Sequence, residues 1–133
     1  MSLGFCPALR NARAEAVVEK IDAAATPGTI ELYSTPQPLP GAAAGGLPMA
    51  LTVLQAPCGF VSDGVVFFSS SLPAQVVTGG TVLWARVKDG DGNWVIDGNV
   101  AVTGTPGAGF TLDDVVLYAG AFVFLFGATL TEP

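Results

Sequence analysis

VLWARVKDGDGNWVIDGNV, Val82 to Val100, holds two alternating runs on either side of an acidic, glycine-rich centre, the pattern of a β-hairpin. A strand's period of two puts Leu83, Ala85 and Val87 on one face and Trp84, Arg86 and Lys88 on the other. Asp91-Gly92 is expected to form a two-residue type I′ turn, because this pair accepts φ > 0 at both central positions at little cost. That register sets Val87 opposite Ile96 and Arg86 opposite Asp97. Leu83, Ala85, Val87, Trp94, Ile96 and Val100 then share an apolar face. On the wetter face opposite charges meet, a pair worth roughly 0.2–1 kcal/mol. A slip of one residue mixes the two faces.

Outward from the hairpin the chain reads as further strands. Thr29–Ser34, Met49–Gln55 (ending at Ala56-Pro57), Gly64–Ser70 and Ala74–Thr78 precede it. Ala101–Thr103 extends its second strand, and GTPGAG at 104–109 ends it. Val115–Tyr118 and Ala121–Leu130 follow as a closing pair joined at Ala119-Gly120. In the last of these, Phe122, Phe124, Phe126 and Ala128 share one face and Val123 and Leu125 the other, so a neighbour is expected to cover the second face. The one convincing helix is LRNARAEAVVEKIDAA, Leu9 to Ala24, with apolar positions at Leu9, Ala12, Ala16, Val17 and Ile21, and Pro7 suits its first turn. It reads as a lid on a sheet or on a neighbour. The expectation is one domain over residues 1–133, mainly β: a β-sandwich, with jelly-roll connections as an option, behind an N-terminal helical segment at 1–25.

Residues 35–48 form a Pro- and Gly-rich loop. Three prolines in TPQPLPG forbid ladder bonds and impose an extended path, and GAAAGG after them is a flexible tip. With no charge to hold it in solvent, this loop is expected to reach a neighbour. Pro36, Pro38, Leu39 and Pro40, with Val123 and Leu125, make up the expected interface.

Half the residues are apolar, only 12% are charged, and the net charge is −6 with no histidine. A domain of this size buries roughly 68% of the surface its unfolded chain exposes, so disulfides are not required. Cys6 and Cys58 read as idle thiols in a reducing compartment, with a disulfide as the alternative. Five cations are too few to wrap nucleic acid, and the acidic balance disfavours an anionic membrane surface. Val115–Leu130 is too short and too glycine-interrupted for a membrane helix, and charges at Arg10, Arg13, Glu15 and Glu19 occupy the place of a signal peptide's apolar core.

Chemistry is not expected. Asp89-x-Asp91-x-Asn93 begins like a calcium loop but has Trp94 where the sharp turn needs glycine and Val100 where the bidentate glutamate belongs. GTPGAGFT lacks the Lys-Ser/Thr of a phosphate loop. Without histidine a nucleophile has lost its commonest base, and Asp113 and Asp114, adjacent on a strand, point apart. The chain reads as no enzyme, with no metal and no cofactor.

Three blocks together resemble a family of small structural proteins of tailed bacteriophages and prophages: RNARAEAVVEKIDAAATPGTIELYSTPQP (Arg10–Pro38), VLWARVKDGDGNWVIDGNV (Val82–Val100) and FTLDDVVLYAGAFVFLFGATLTEP (Phe110–Pro133). They cover just over half the chain, in the order helix, short strand and proline segment, hairpin, closing strands. Residues 59–81 depart from that pattern. The resemblance implies a virion component made in the bacterial cytoplasm, similar to jelly-roll cement proteins that decorate a capsid surface. Its partners would be further copies of itself and the major capsid protein. A tail or head-tail joining protein and a carbohydrate-binding module are the alternatives.

Overall fold

The computed structural model describes residues 4, 6–70, 74–105, 109–123 and 129–131. Helix α1 (Pro7–Asp22) precedes strands β1 (Thr29–Tyr33), β2 (Ala50–Ser62), β3 (Val65–Ser70), β4 (Ala74–Gln75), β5 (Gly80–Thr81), β6 (Trp84–Lys88), β7 (Trp94–Val102), β8 (Phe110–Leu112), β9 (Val116–Leu117), β10 (Phe122–Val123) and β11 (Thr129–Thr131). The protein is mainly β with an N-terminal helix, as its patterning requires.

Seven strands close on themselves in the order β1-β2-β3-β11-β8-β7-β6, with β6 returning to β1. Two long strands serve both layers. The Ala50–Val53 half of β2 pairs with β1 and its Gly59–Ser62 half with β3; β7 pairs with β6 up to Asn99 and, in parallel, with β8 from Val100. Because these corner strands pass from one layer to the other, the layers expected of a sandwich are two sides of one closed wall. Ile30, Leu32, Ala85 and Val87 fill it from one side, and Val66, Phe68, Phe110 and Val100 from the other. β2 does not stop at Ala56-Pro57; it passes through a cis peptide there and runs on to Ser62.

The two-residue type I′ turn exists, but in the β2–β3 hairpin. Asp63 (φ 51) and Gly64 (φ 74) lie between the paired Ser62 and Val65. In β6–β7 the turn is longer than expected. The Gly92 N–H donates to Asp89 O at 3.0 Å, the Asp89 N–H donates to Asn93 O at 3.0 Å, and Gly92 sits at φ +83. Lys88 therefore faces Trp94. A bulge then sets Val95 and Ile96 together against Val87, and Arg86 faces Asp97 as expected. The added turn residue and the bulge cancel. Trp94 is displaced onto the outer face with Lys88, where it is exposed, and Leu83, expected on the apolar face, is exposed as well.

α1 covers one end of the barrel. Ala14 and Ile21 are fully buried with Val17 and Val18 beside them, whereas Leu9, Ala12 and Ala16 face outward. In so alanine-rich a helix, polar contacts at its two ends decide the docked face. Asn11 Oδ1 accepts the Gly64 N–H at 2.7 Å, Arg10 Nη2 donates to Asp63 O at 3.3 Å, and both Asp22 oxygens lie 3.1 Å from the Cys58 N. Beyond the helix, Thr26 Oγ1 donates to Gly90 O at 2.7 Å, tying the segment to the β6–β7 turn. Cys6 is exposed and Cys58 buried, both as free thiols.

Among the described residues the closing strands do not pair with each other: β9 pairs with β5 and β10 with β4. The tight turn between them stands, with the Ala121 N–H donating to Tyr118 O at 3.0 Å and Gly120 at φ +86. Phe122, expected to fill the core, is 62% exposed and pairs with the likewise exposed Gln75 in a two-stranded ladder. Phe124, Leu125, Phe126 and Ala128 lie outside the described residues. Among the described residues no helix is long and apolar enough to cross a membrane.

Candidate assembly surface

With Ile30, Leu32, Ala85 and Val87 facing inward, alternation sends Glu31, Tyr33, Trp84, Arg86 and Lys88 to the outside of the wall. A wet face is expected there. Instead Trp84 is 0% exposed, and Tyr33, Glu31 and Arg86 are buried with it. The cover is the loop at 35–48, which folds back as a strap over its own hairpin and does not reach away from the domain. Arg86 grips Asp97 with a fork, Nε to Oδ1 at 2.7 Å and Nη2 to Oδ2 at 2.9 Å. The same Nη2 donates to Ala42 O at 2.6 Å, and the Gly41 N–H donates to Asp97 Oδ2 at 2.9 Å. Gly41 is at φ +76, and a Cβ there would stand 3.0 Å from the Trp94 ring. Beneath the strap the Tyr33 and Trp84 rings stack at 4.4 Å, with the Arg86 guanidinium 5.2 Å from the Trp84 ring centre. Among the described residues Trp84 Nε1 has no hydrogen-bond partner. Lys88 Nζ lies 3.0 Å from Glu31 Oε1, close enough for an ion pair though not aligned as a hydrogen bond.

This environment shifts the groups within it. Burial alone raises the Asp97 carboxyl, but the Arg86 fork, the Gly41 N–H and the Arg86 charge outweigh it and hold the group below its ordinary range. The bond to Asp97 raises Arg86 further. Burial first, then the Glu31 charge, pushes the Tyr33 phenol up to about 12.

The strap is held by its backbone and turns its side chains outward. Pro36 and Pro40 are exposed, Pro38 is half-buried, and Leu39 and Leu47 are 80% and 91% exposed. Val123 is placed by its backbone opposite Ala74, and Leu125 lies outside the described residues.

A second apolar feature sits where the chain leaves β3 and enters β6, at the end of the barrel away from α1. There residues 74–82 run antiparallel to 115–123. The Val76 N–H donates to Ala121 O and the Val82 N–H to Val115 O, both at 2.8 Å, and Gly80 faces Leu117. Val77 and Tyr118 are 76% and 72% exposed, beside the exposed Phe122. This lobe is built from two stretches without charge, 64–85 and 115–131, and the strap lies in a third, 32–62. The sequence signal for Leu47, Val77, Tyr118 and Phe122 was that absence of charge; strand periodicity does not show it.

Most charges lie at the other end, on α1 and at the Asp63 and Asp89–Asp91 turns, with the exposed Asp113 and Asp114 bordering the lobe. There an open groove of about 410 Å³ between α1 and β2 is lined by Glu15, Glu19 and the exposed Phe60. Several carboxylates are engaged in local structure. Asp89 Oδ1 accepts the Asp91 and Asn93 N–H groups at 3.0 and 2.9 Å, which holds its pKa below the ordinary value, the Asn93 N–H contributing most. Asp114 accepts the Val116 N–H at 3.0 Å, and Asp113 accepts from the Thr103 hydroxyl at 3.2 Å. Among the described residues no three His, Cys, Asp or Glu side chains gather as a metal site. Comparison of the chain with protein-family models, with curated proteins and with solved structures gave no match.

Proposed function

We propose that the protein is a non-enzymatic virion component that decorates and cements a bacteriophage capsid, docking through its uncharged end onto the shell and onto further copies of itself. The observation that supports this reading is where its most exposed apolar side chains lie. Leu39 and Leu47 on the strap and Val77, Tyr118 and Phe122 on the lobe all come from stretches without charge, in a chain with a net charge of −6. A monomer usually covers its surface with charge, and a contiguous apolar surface marks a contact. The resemblance of three blocks to phage structural proteins supplies the partner. Many weak contacts repeated over a shell add up to firm attachment, so no single site needs to be tight.

The test is a pair of variants, Leu39→Asp with Leu47→Asp, and Tyr118→Asp with Phe122→Asp, added to particles lacking the protein. Each covered large apolar side chain is worth ~1.5–3 kcal/mol, so losing two weakens each contact by more than tenfold. The isolated variants should keep the circular dichroism and melting temperature of the parent, because these side chains are already in water. Normal sedimentation of both variants with particles would overturn the docking surface. Occupancy of a few copies per particle, against hundreds, would point to a tail or head-tail joint.

A further inference from the structure

We propose that the strap at residues 35–48 is a releasable arm, latched onto the barrel by the buried Arg86–Asp97 pair, so that it opens as a unit while the barrel stays folded. Four features support this. The Tyr33–Trp84 stack lies outside the main apolar core although it is buried, so its cover is local. The strap's contacts with that face run through its backbone: Ala42 O on Arg86, Gly41 N–H on Asp97, and Gly41 against the Trp94 ring. Both backbone bonds end on the two members of one ion pair, so a single pair governs the closure. The side chains that would otherwise anchor a loop, Leu39, Leu47, Pro36 and Pro40, face solvent.

The ends of the strap are fixed independently of the latch. Leu32 pairs with Ala50 across β1 and β2, and the Met49 N–H donates to Leu32 O at 2.8 Å. Opening therefore leaves the barrel ladder intact and uncovers one discrete patch, the stacked Tyr33 and Trp84 with the unpartnered Trp84 Nε1. When closed, the latch fixes the path of the strap and holds Leu39 and Leu47 at the surface. The use of that presentation in docking rests on the capsid reading above; the latch itself does not.

Hydrogen exchange on the full chain tests it. Asp97→Asn keeps the shape and removes the charge; Gly41→Ala leaves the pair untouched but sets a Cβ at positive φ against Trp94. In both variants the amides of 41–44 should exchange at least about tenfold faster, since a hydrogen bond to a charged group is lost or strained. The β1–β2 and β2–β3 amides should keep their protection. Trp94 is already exposed, so the share of tryptophan emission shielded from acrylamide reports Trp84, and it should fall at least about twofold in Asp97→Asn as its cover is released. Unchanged 41–44 exchange in both variants overturns the latch, and so does a parallel loss of protection throughout the barrel. Particle binding lost in Leu39→Asp with Leu47→Asp bears on the docking reading alone, and altered exchange in Asp97→Asn bears on the latch alone.

Discussion

Raising the pH should destabilise this protein in a way that two residues account for. Burial, with the Asp22 charge beside it, lifts the Cys58 thiol from 9.0 to about 12, and burial with the Glu31 charge lifts the Tyr33 phenol from 10.0 to about 12. Both groups stay neutral in the folded chain at a pH where the unfolded chain has already released their protons. Their contribution is therefore fully present below pH 9 and is lost as the pH rises from 9 towards 12. At pH 11 the unfolded thiol favours its ionised form by about 100 to 1 and the folded one does not, a difference on the order of 3 kcal/mol. Tyr33 adds on the order of 1 kcal/mol by the same arithmetic. Together these are a large part of the ~5–15 kcal/mol that holds a domain folded. Urea midpoints at pH 8, 9.5 and 11 measure the loss. Cys58→Ala should lower stability at pH 8 through its small cavity yet remove most of the alkaline decline, and Tyr33→Phe about a third of it. A wild-type midpoint unchanged between pH 8 and 11, or an equal decline in both variants, would refute the reasoning.

The acid limb has the opposite sign. Asp89 and Asp97 are held below their ordinary range, so their contribution is present above the unfolded value near 4 and lost as the pH falls through the lower folded values. Midpoints should stay flat down to roughly pH 5 and then fall, with a shallower fall in Asp97→Asn, as fluorescence titration in urea reports. Ile21→Ala removes a fully buried side chain from under α1 and should cost about 2–5 kcal/mol, read from the urea midpoint. A loss under about 0.5 kcal/mol, the size expected of a surface site, would mean that α1 is not part of the cooperative unit.

The fold was legible wherever side-chain alternation carried the information. The hairpin pairings Arg86–Asp97 and Val87–Ile96 followed from the two faces, since a slip of one residue sends charge among Ala85 and Val87. The turn itself was not legible. Two Asp-Gly pairs, Asp63-Gly64 and Asp91-Gly92, have the same local preference, and what separates them is the surroundings. Asp63-Gly64 joins strands flush at Ser62 and Val65 and is gripped by α1. In the other hairpin Asp89 has already drawn the Asp91 and Asn93 amides onto its carboxylate, and the turn closes one residue further out. The bulge at Val95 restores the pairs Arg86–Asp97 and Val87–Ile96, whereas Lys88 against Trp94, and the exposure of Trp94 and Leu83, depart from the expected register and face.

The candidate surface was legible only in its composition. Residues 35–48 have neither charge nor strand periodicity, and from that alone a contact with another molecule and a contact with the protein's own backbone look alike. What decides between them is Arg86 and Asp97, some 40 residues on, whose side chains bond to an amide and a carbonyl that no residue pattern displays. The same two residues explain why an outer sheet face is buried in so small a domain. Two of the five cations, Arg86 and Lys88, are spent beneath or beside the strap, and the other three, Arg10, Arg13 and Lys20, sit on α1. No Lys or Arg is left in the stretches that build the lobe or the strap. Leu47, Val77, Tyr118 and Phe122 are exposed with no lysine or arginine among them, so on the docking proposal recognition there would work through shape and loss of water, with the carboxylates of Asp113 and Asp114 at its border.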